Sequence, residues 1–332
     1  LALGHIPDPH KGTHEAEVQW VGEAEWEIVR SFELDAEQLA GRWPVLDLEF
    51  VDTFAHVFVN GGLVAKLGSS FIRHRLDLDG LLRPGANEIR IRFLPPGAEA
   101  SRLAAIQPFP IPWSVANNRV PDLNMIRKAQ CHGGWDWGPC LLVSGIYAPP
   151  VLRLLERARI ESVQIRQQHQ QDGTVVALAE VELVTKTATT VPLAVSLCGQ
   201  TETVSVPVDP AGGGRVTVAL NVGKPALWWP AGHGAQPLHE AVVTTPGDRV
   251  TRRIGFRTLE VVTEPDEAGA SMTFRVNGID IFSKGANWIP ADALPSRISG
   301  ERVRALLEAA VEANMNMIRV WGGGFYEFDA FY

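Results

Sequence analysis

The sequence predicts a mostly β chain: two antiparallel sandwiches followed by a β-α-β unit. Three observations predict it. Short runs in which apolar and polar residues alternate fill Val18 to Phe93, the period-2 signature of strands with one buried face. A second alternating block runs from about Arg159 to Val262, the size of an immunoglobulin-like sandwich. After Glu264-Pro-Asp-Glu the pattern changes to strand, loop, helix, strand.

In the first block, Glu-Trp-Glu-Ile-Val-Arg-Ser-Phe-Glu-Leu, Val-Leu-Asp-Leu-Glu-Phe, His-Val-Phe-Val and Asn-Glu-Ile-Arg-Ile-Arg-Phe read as strands. Asn60-Gly61-Gly62 is a hairpin turn, because a primed turn needs positive φ angles that Asn and Gly tolerate. Pro95, Pro96, Pro108, Pro110, Pro112 and Pro121 cannot sit in a central ladder, so Pro95 to Pro121 is expected to be a long loop or insertion. It leads into the polar and aromatic stretch Ile126 to Cys140, a candidate site. In the second block, Gly212-Gly-Gly214 marks a turn, and no cross-sheet disulfide is expected.

Phe274-Arg-Val-Asn-Gly-Ile-Asp-Ile-Phe then reads as a hairpin. Ser299 is a plausible N-cap, Glu301 sits in the first turn, and Val303, Leu306, Leu307, Ala310 and Val311 form one apolar stripe, so a helix is predicted to end near Asn314. Asn316 to Trp321 is expected to be a buried strand and Gly322-Gly-Gly324 a loop. A single β-α-β unit cannot bury its own parallel sheet, so the chain is expected to be part of a longer protein.

The 332 residues carry 30 Lys plus Arg against 38 Asp plus Glu, and a net charge of −8 disfavours nucleic acid, whose recognition needs clustered cations. No stretch approaches the apolar length of a membrane span, so no membrane partner is expected. Cys131, Cys140 and Cys198 are an odd set, which suits a reducing compartment. Ten Trp against three Tyr is the unusual feature, since indoles either fill cores or cover flat ligand faces.

Five motifs carry a resemblance: Gly134-Trp-Asp-Trp-Gly-Pro139, Leu227-Trp-Trp-Pro-Ala-Gly-His-Gly, Ile254-Gly-Phe-Arg-Thr, Lys284-Gly-Ala-Asn-Trp-Ile-Pro-Ala-Asp292 and Asn316-Met-Ile-Arg-Val-Trp-Gly-Gly-Gly324. In this order, over essentially the whole chain, they resemble glycoside hydrolase family 2, and the Trp-Asp-Trp-Gly-Pro run resembles its β-mannosidase branch. The resemblance implies a galactose-binding-like jelly roll over residues 1–155, an immunoglobulin-like sandwich over 156–262, and the start of a (β/α)₈ TIM barrel over 263–332. It implies a retaining exo-acting enzyme that removes terminal non-reducing β-D-mannose, with no metal or organic cofactor and a small carbohydrate as partner. It further implies that both catalytic glutamates lie beyond residue 332 and that a segment precedes Ile6, so this chain alone is expected to be inactive. The oligomeric state stays open, as does the compartment, for which Ala, Arg and Gly usage would suit a cytoplasmic enzyme.

A pyranose offers hydroxyls around its rim and a C–H face, which suits a carboxylate that accepts two hydroxyls beside an indole. Asp136 and Trp135 are therefore candidate sugar contacts, the alternative being a tryptophan corner with Asp136 capping a turn; Trp137 is assigned to the core. The resemblance places Arg319 at the end of barrel strand two, to hold the nucleophile ionised and oriented, with a structural ion pair as the alternative. Trp321, Asn287 and Trp288 are candidate subsite residues on the same lip, whereas Lys284 and Asp292 default to the surface. Glu301, Glu308 and Glu327 are not given catalytic roles.

His5, His10 and His14 have nothing to converge them on a metal. Cys131-His132 and Cys140 lack paired spacing and read as buried thiols. Gly322-Gly-Gly324 lacks the Lys-Ser/Thr of a phosphate loop and reads as close backbone approach. Two alternatives remain: another family 2 specificity (β-galactosidase, β-glucuronidase or exo-β-glucosaminidase), or a non-catalytic carbohydrate-binding sandwich protein.

Overall fold

The computed structural model describes residues 1, 3–113 and 118–332. They divide into two compact units. The first holds Leu1–Leu154, Asn287–Leu306 and Val320–Tyr332; the second holds Leu155–Ala286 and Leu307–Arg319. Among the described residues no helix is long and apolar enough to cross a membrane.

In the first unit the strands run β1 Trp26–Leu34, β2 Trp43–Leu48, β3 Val51–Asp52, β4 Phe54–Val59, β5 Gly62–Gly68, β6 His74–Asp77, β7 Gly85–Phe93, β8 Gly145–Ile146 and β9 Val151–Leu155. They form sheets ordered β1-β7-β4-β5 and β6-β2-β9, with β3 and β8 paired. Strict alternation along β4 sends Ala55, Val57 and Val59 inward, where they meet Leu46, Leu48, Ile91 and Phe93. Each large apolar side chain so buried contributes about 1.5–3 kcal/mol relative to exposure. The β4–β5 hairpin closes at Asn60 (φ 49°) and Gly61 (φ 84°), the two positive φ angles expected of its turn.

Among the described residues of this unit, α1 His14–Glu17 and α2 Trp20–Glu23 precede β1, α3 Ala36–Leu39 lies between β1 and β2, and α4 Pro96–Ala105 follows β7. Within the stretch from Pro95 expected to be a long loop or insertion, Pro96–Ala105 form the helix α4. Proline is compatible with the first turn of a helix, where its missing N–H would have no partner, and Pro96 opens α4. Ala100 of α4 is buried with Leu123 and Ile126. Residues 114–117 of the same proline-rich stretch lie outside the described residues.

The second unit contains β10 Ala158–His169, β11 Val175–Thr185, β12 Thr189–Leu197, β13 Gln200–Val208, β14 Gly214–Asn221, β15 His239–Thr245, β16 Asp248–Ile254, β17 Leu259–Val262, β18 Pro265–Asp266, β19 Gly269–Ala270, β20 Thr273–Val276 and β21 Ile279–Ile281. Sheets β10-β11-β14 and β13-β12-β15-β16 make a seven-stranded sandwich where the second block predicts an immunoglobulin-like one. Along β11 every second residue is buried, and Ala177, Ala179, Val181 and Leu183 pack with Leu193, Val195 and Leu197 of β12 in one core. All three cysteines are free, Cys131 and Cys140 buried and Cys198 exposed.

The remaining elements are β22 Gly285–Trp288, α5 Gly300–Glu312 and β23 Met317–Val320, with β22 and β23 paired. Ser299 caps α5 by accepting the Arg302 N–H on its hydroxyl at 3.2 Å. No residue of α5 is buried, and β23, expected to be a buried strand, is half-buried with Arg319 exposed. The β-α-β order is present, while no closed barrel forms among the described residues.

Candidate functional site

The aromatic-acidic loop begins where the 3₁₀ turn Gln130–Gly133 ends, at Gly134, whose φ of 96° few side chains tolerate. Its two ends are tied down by neighbours of the first unit. The Arg119 N–H donates to the Gly133 carbonyl at 2.7 Å. The Cys140 N–H donates to Glu15 Oε1 at 2.9 Å, and Gln19 Nε2 donates to the Cys140 carbonyl at 2.9 Å. Glu15 Oε1 also takes the Arg119 guanidinium at 2.9 Å.

Between these ties Trp135 is half-buried and stacks on Trp321, with ring centroids 4.5 Å apart and planes 25° apart. Such an offset pair is worth about 0.5–1.5 kcal/mol beyond the area it covers. Asp136 is exposed, and it lines an open hollow of about 560 Å³ with Trp137, His10, Glu15 and Arg119. Trp137 is 71% exposed, which corrects its assignment to the core. The turn from Trp135 to Gly138 is tight: a Cβ at Gly138 would stand 2.1 Å from the Trp135 Nε1, so Trp135 occupies that side and Trp137 is left outward.

The lip residues meet the same loop. The Trp321 N–H donates to the Trp288 carbonyl at 2.8 Å, and the Cys131 N–H donates to the Gly323 carbonyl at 3.1 Å. A Cβ on Gly323 would fall 2.1 Å from the Trp321 ring and one on Gly324 2.9 Å from Pro290, so these two show the close approach expected of the glycine run, while Gly322 has open space beside it. Trp288 is buried, and its Nε1 donates to Glu327 at 2.8 Å. The structure thus gathers Trp135, Trp321 and Trp288, and leaves Asn287 and Arg319 exposed in β22 and β23.

Three features lay outside the sequence reading. Glu327, read as a loop residue, is buried beneath Trp288. Asp292, assigned to the surface, is buried: its carboxylate lies 3.3 Å from Arg297 Nε, 3.4 Å from Arg302 Nη1 and 3.7 Å from His10 Nε2. An i, i+5 and i, i+10 spacing of charges across a turn gives no periodic signal, so only the folded chain brings them together. With Trp135, His132 and Pro290 they line a second cavity of about 350 Å³.

The third feature is a buried polar cluster on Asp52. Lys128 Nζ lies 2.5 Å from Asp52 Oδ2, Tyr147 donates its hydroxyl to the same oxygen, Thr53 donates to Oδ1, and His132 Nδ1 is 3.4 Å away. Burial alone would raise the Asp52 carboxyl, but the Lys128 ammonium and the His132 and Lys128 donors outweigh it and hold it below the usual carboxylate range. Burial, reinforced by the Lys128 charge, pushes the His132 imidazole down from its ordinary value, with Asp52 opposing. Burial likewise pushes the Cys131 thiol up to about 11. Among the described residues no three His, Cys, Asp or Glu side chains converge as a metal site.

Comparison with known proteins places these domains. Residues 1–148 match the "Glycosyl hydrolase 2 galactose-binding domain-like" family and residues 158–257 match "Glycosyl hydrolases family 2". A protein of Aspergillus clavatus named Beta-mannosidase B is 37% identical over 344 residues, covering 100% of this chain and 40% of that protein. The crystal structure of β-D-mannosidase from Dictyoglomus thermophilum superposes with a TM-score of 0.90 at 33% identity, over 100% of this chain and 41% of that one. The exo-chitosanase of Amycolatopsis orientalis, 20% identical with a TM-score of 0.74 over 99% of this chain and 36% of that one, shares the fold. The chain thus spans about two fifths of the length of the relatives it matches. With both sandwich domains matched and the five motifs in the family's order, the chain belongs to glycoside hydrolase family 2.

Proposed function

We propose that the whole protein containing this chain is a retaining exo-β-mannosidase that hydrolyses terminal non-reducing β-D-mannose from manno-oligosaccharides or glycans. One observation carries the reading: an exposed carboxylate, Asp136, stands between two indoles, one of them braced from behind by a stacked third. A carboxylate can accept two neighbouring sugar hydroxyls while an indole covers a C–H face, so this group would fix which hydroxyls are in register. The likeness to proteins named as β-mannosidases over the full length of this chain supports it.

In this reading Trp135 and Trp321 form one wall of the sugar subsite, and Trp288 and Asn287 line its floor at the end of β22. Arg319 holds the nucleophile ionised and aligned by its fixed positive charge. Retention needs two facing carboxyl groups about 5 Å apart, one attacking the anomeric carbon and one protonating the leaving oxygen. Glu327 is not one of them, since it is buried and committed to the Trp288 N–H. The catalytic pair belongs to the later part of the family's barrel, and domain limits of 1–155, 156–262 and 263–332 follow from the same reading.

The test is the rate of the whole protein on aryl β-mannoside, β-galactoside, β-glucuronide and β-glucosaminide. The highest kcat/KM is expected on the mannoside, and Asp136→Ala is expected to lower it about 10- to 100-fold, the worth of a charged hydrogen bond. A different preferred sugar overturns the subsite reading.

A further inference from the structure

We infer that Asp52 is a positioning residue that holds the Gly134–Cys140 loop, and with it Asp136, by pinning both ends of the loop to one buried carboxylate. The inference rests on the sugar-binding reading of Asp136 for its functional consequence, and on geometry alone for the positioning itself.

The chain leading into the loop carries Lys128 and His132; the chain leaving it carries Val143 and Tyr147. Lys128, His132 and Tyr147 converge on Asp52, and Val143 is tied to them through Lys128. Lys128 Nζ reaches both Asp52 Oδ2 at 2.5 Å and the Val143 carbonyl at 2.6 Å, so a single ammonium bridges the incoming and outgoing segments. Tyr147 donates its hydroxyl to the same Oδ2 from the outgoing side, and His132 Nδ1 stands 3.4 Å from it on the incoming side. The backbone repeats the arrangement, because β3, which carries Asp52, pairs Val51 with Ile146 and Asp52 with Gly145.

The cluster is dry: the side chains of Lys128 and Asp52 are 0% and 1% exposed. A buried ion pair of this kind is seldom a net source of stability, because desolvating two charges costs about as much as their attraction returns. What it does provide is a unique geometry, since an ammonium and a carboxylate removed from water cannot exchange partners freely. Apolar residues would fill the same space without fixing where the loop's two ends lie. The cluster adds to the ties that Arg119, Glu15 and Gln19 make at Gly133 and Cys140, while Asp136 and Trp137 in the middle of the loop are exposed.

The test has two arms. In this chain, hydrogen exchange of peptides covering 129–141 is compared between wild type, Tyr147→Phe and Asp52→Asn. Tyr147→Phe removes one hydroxyl and keeps the ring, so it is the variant expected to fold even if Asp52→Asn does not. The expected result is exchange about tenfold faster in 129–141 with β4 and β7 unchanged. Unchanged loop exchange, or acceleration spread evenly over the sandwich, overturns the inference.

In the whole protein, a double-mutant cycle joins Tyr147→Phe with Asp136→Ala on the mannoside. If the cluster acts through Asp136, the double variant loses no more in kcat/KM than Asp136→Ala alone, whereas a merely structural role gives additive losses and overturns it. Should Asp136→Ala leave the rate untouched, the sugar-contact reading fails, and the exchange arm still decides the positioning.

Discussion

Trp288 donates its indole N–H to Glu327 at 2.8 Å, and both residues are buried. The bond joins the end of β22 to the loop after the glycines, two segments that carry candidate sugar-facing groups. Removing one partner strands the other, which costs the desolvation of a buried polar group, about 1–3 kcal/mol. Glu327→Ala is therefore expected to lower stability by that amount in urea unfolding, while Glu327→Gln, which keeps an acceptor oxygen, costs less than half as much. Equal losses would show that the carboxylate charge matters rather than the hydrogen bond.

Gly138 leaves room for the Trp135 ring, since a Cβ there would sit 2.1 Å from Nε1. Its φ is not in the left-handed region, so space alone decides. Gly138→Ala is expected to push Trp135 off Trp321 at a cost of about 1–3 kcal/mol. Near-ultraviolet circular dichroism reads the loss of the indole pair; an unchanged spectrum would mean the loop yields elsewhere.

The depressed basicity of His132 makes stability depend on pH. Its folded value lies below the ordinary 6.5, so between the two the unfolded chain binds a proton that the folded chain refuses. The stabilisation from keeping it neutral is complete above about pH 6.5 and is lost as pH falls below that. Asp52, held low by Lys128 and its other donors despite burial, adds its own loss only below the ordinary carboxylate value of 3.8. Urea midpoints measured from pH 7 to 5 are expected to fall more steeply for wild type than for His132→Gln, and parallel slopes would contradict this.

The cysteines separate by reactivity. Cys131 is buried with its thiol pushed up to about 11, so almost no thiolate exists at neutral pH. Cys140 is also buried, and its thiol too is raised by burial. Cys198 is exposed. Iodoacetamide at pH 8 is expected to label Cys198 first and the other two only in denaturant, as mass spectrometry of the peptides will show.

Asp292 ties Arg297, Arg302 and His10 together, and Arg297 also lies 3.7 Å from Asp8. Asp292→Ala is expected to free the His10 segment and to speed tryptic cleavage after Lys11. Cleavage at the wild-type rate would show that Asp8 and His14 hold the segment by themselves.

The alternation of β4 and β11, the Asn60-Gly61 turn and the Ser299 cap were legible in the sequence because each depends on residues a few positions apart, where strand period, φ preference and capping act. The stretch from Gly134 to Pro139 stood out for a similar local reason, its density of indoles around one carboxylate. What local chemistry could not determine is which side of a turn each indole takes. Trp135 and Trp137 have the same identity two residues apart, yet the room left at Gly138 and the face of Trp321 turn one inward and leave the other in solvent. The same holds for charge. Asp52, Asp292 and Glu327 look like ordinary surface acids, and their burial is decided only when folding brings Lys128, Arg302 and Trp288 to them across 76, 10 and 39 positions of chain, since a carboxylate can leave water only where such partners are already in place.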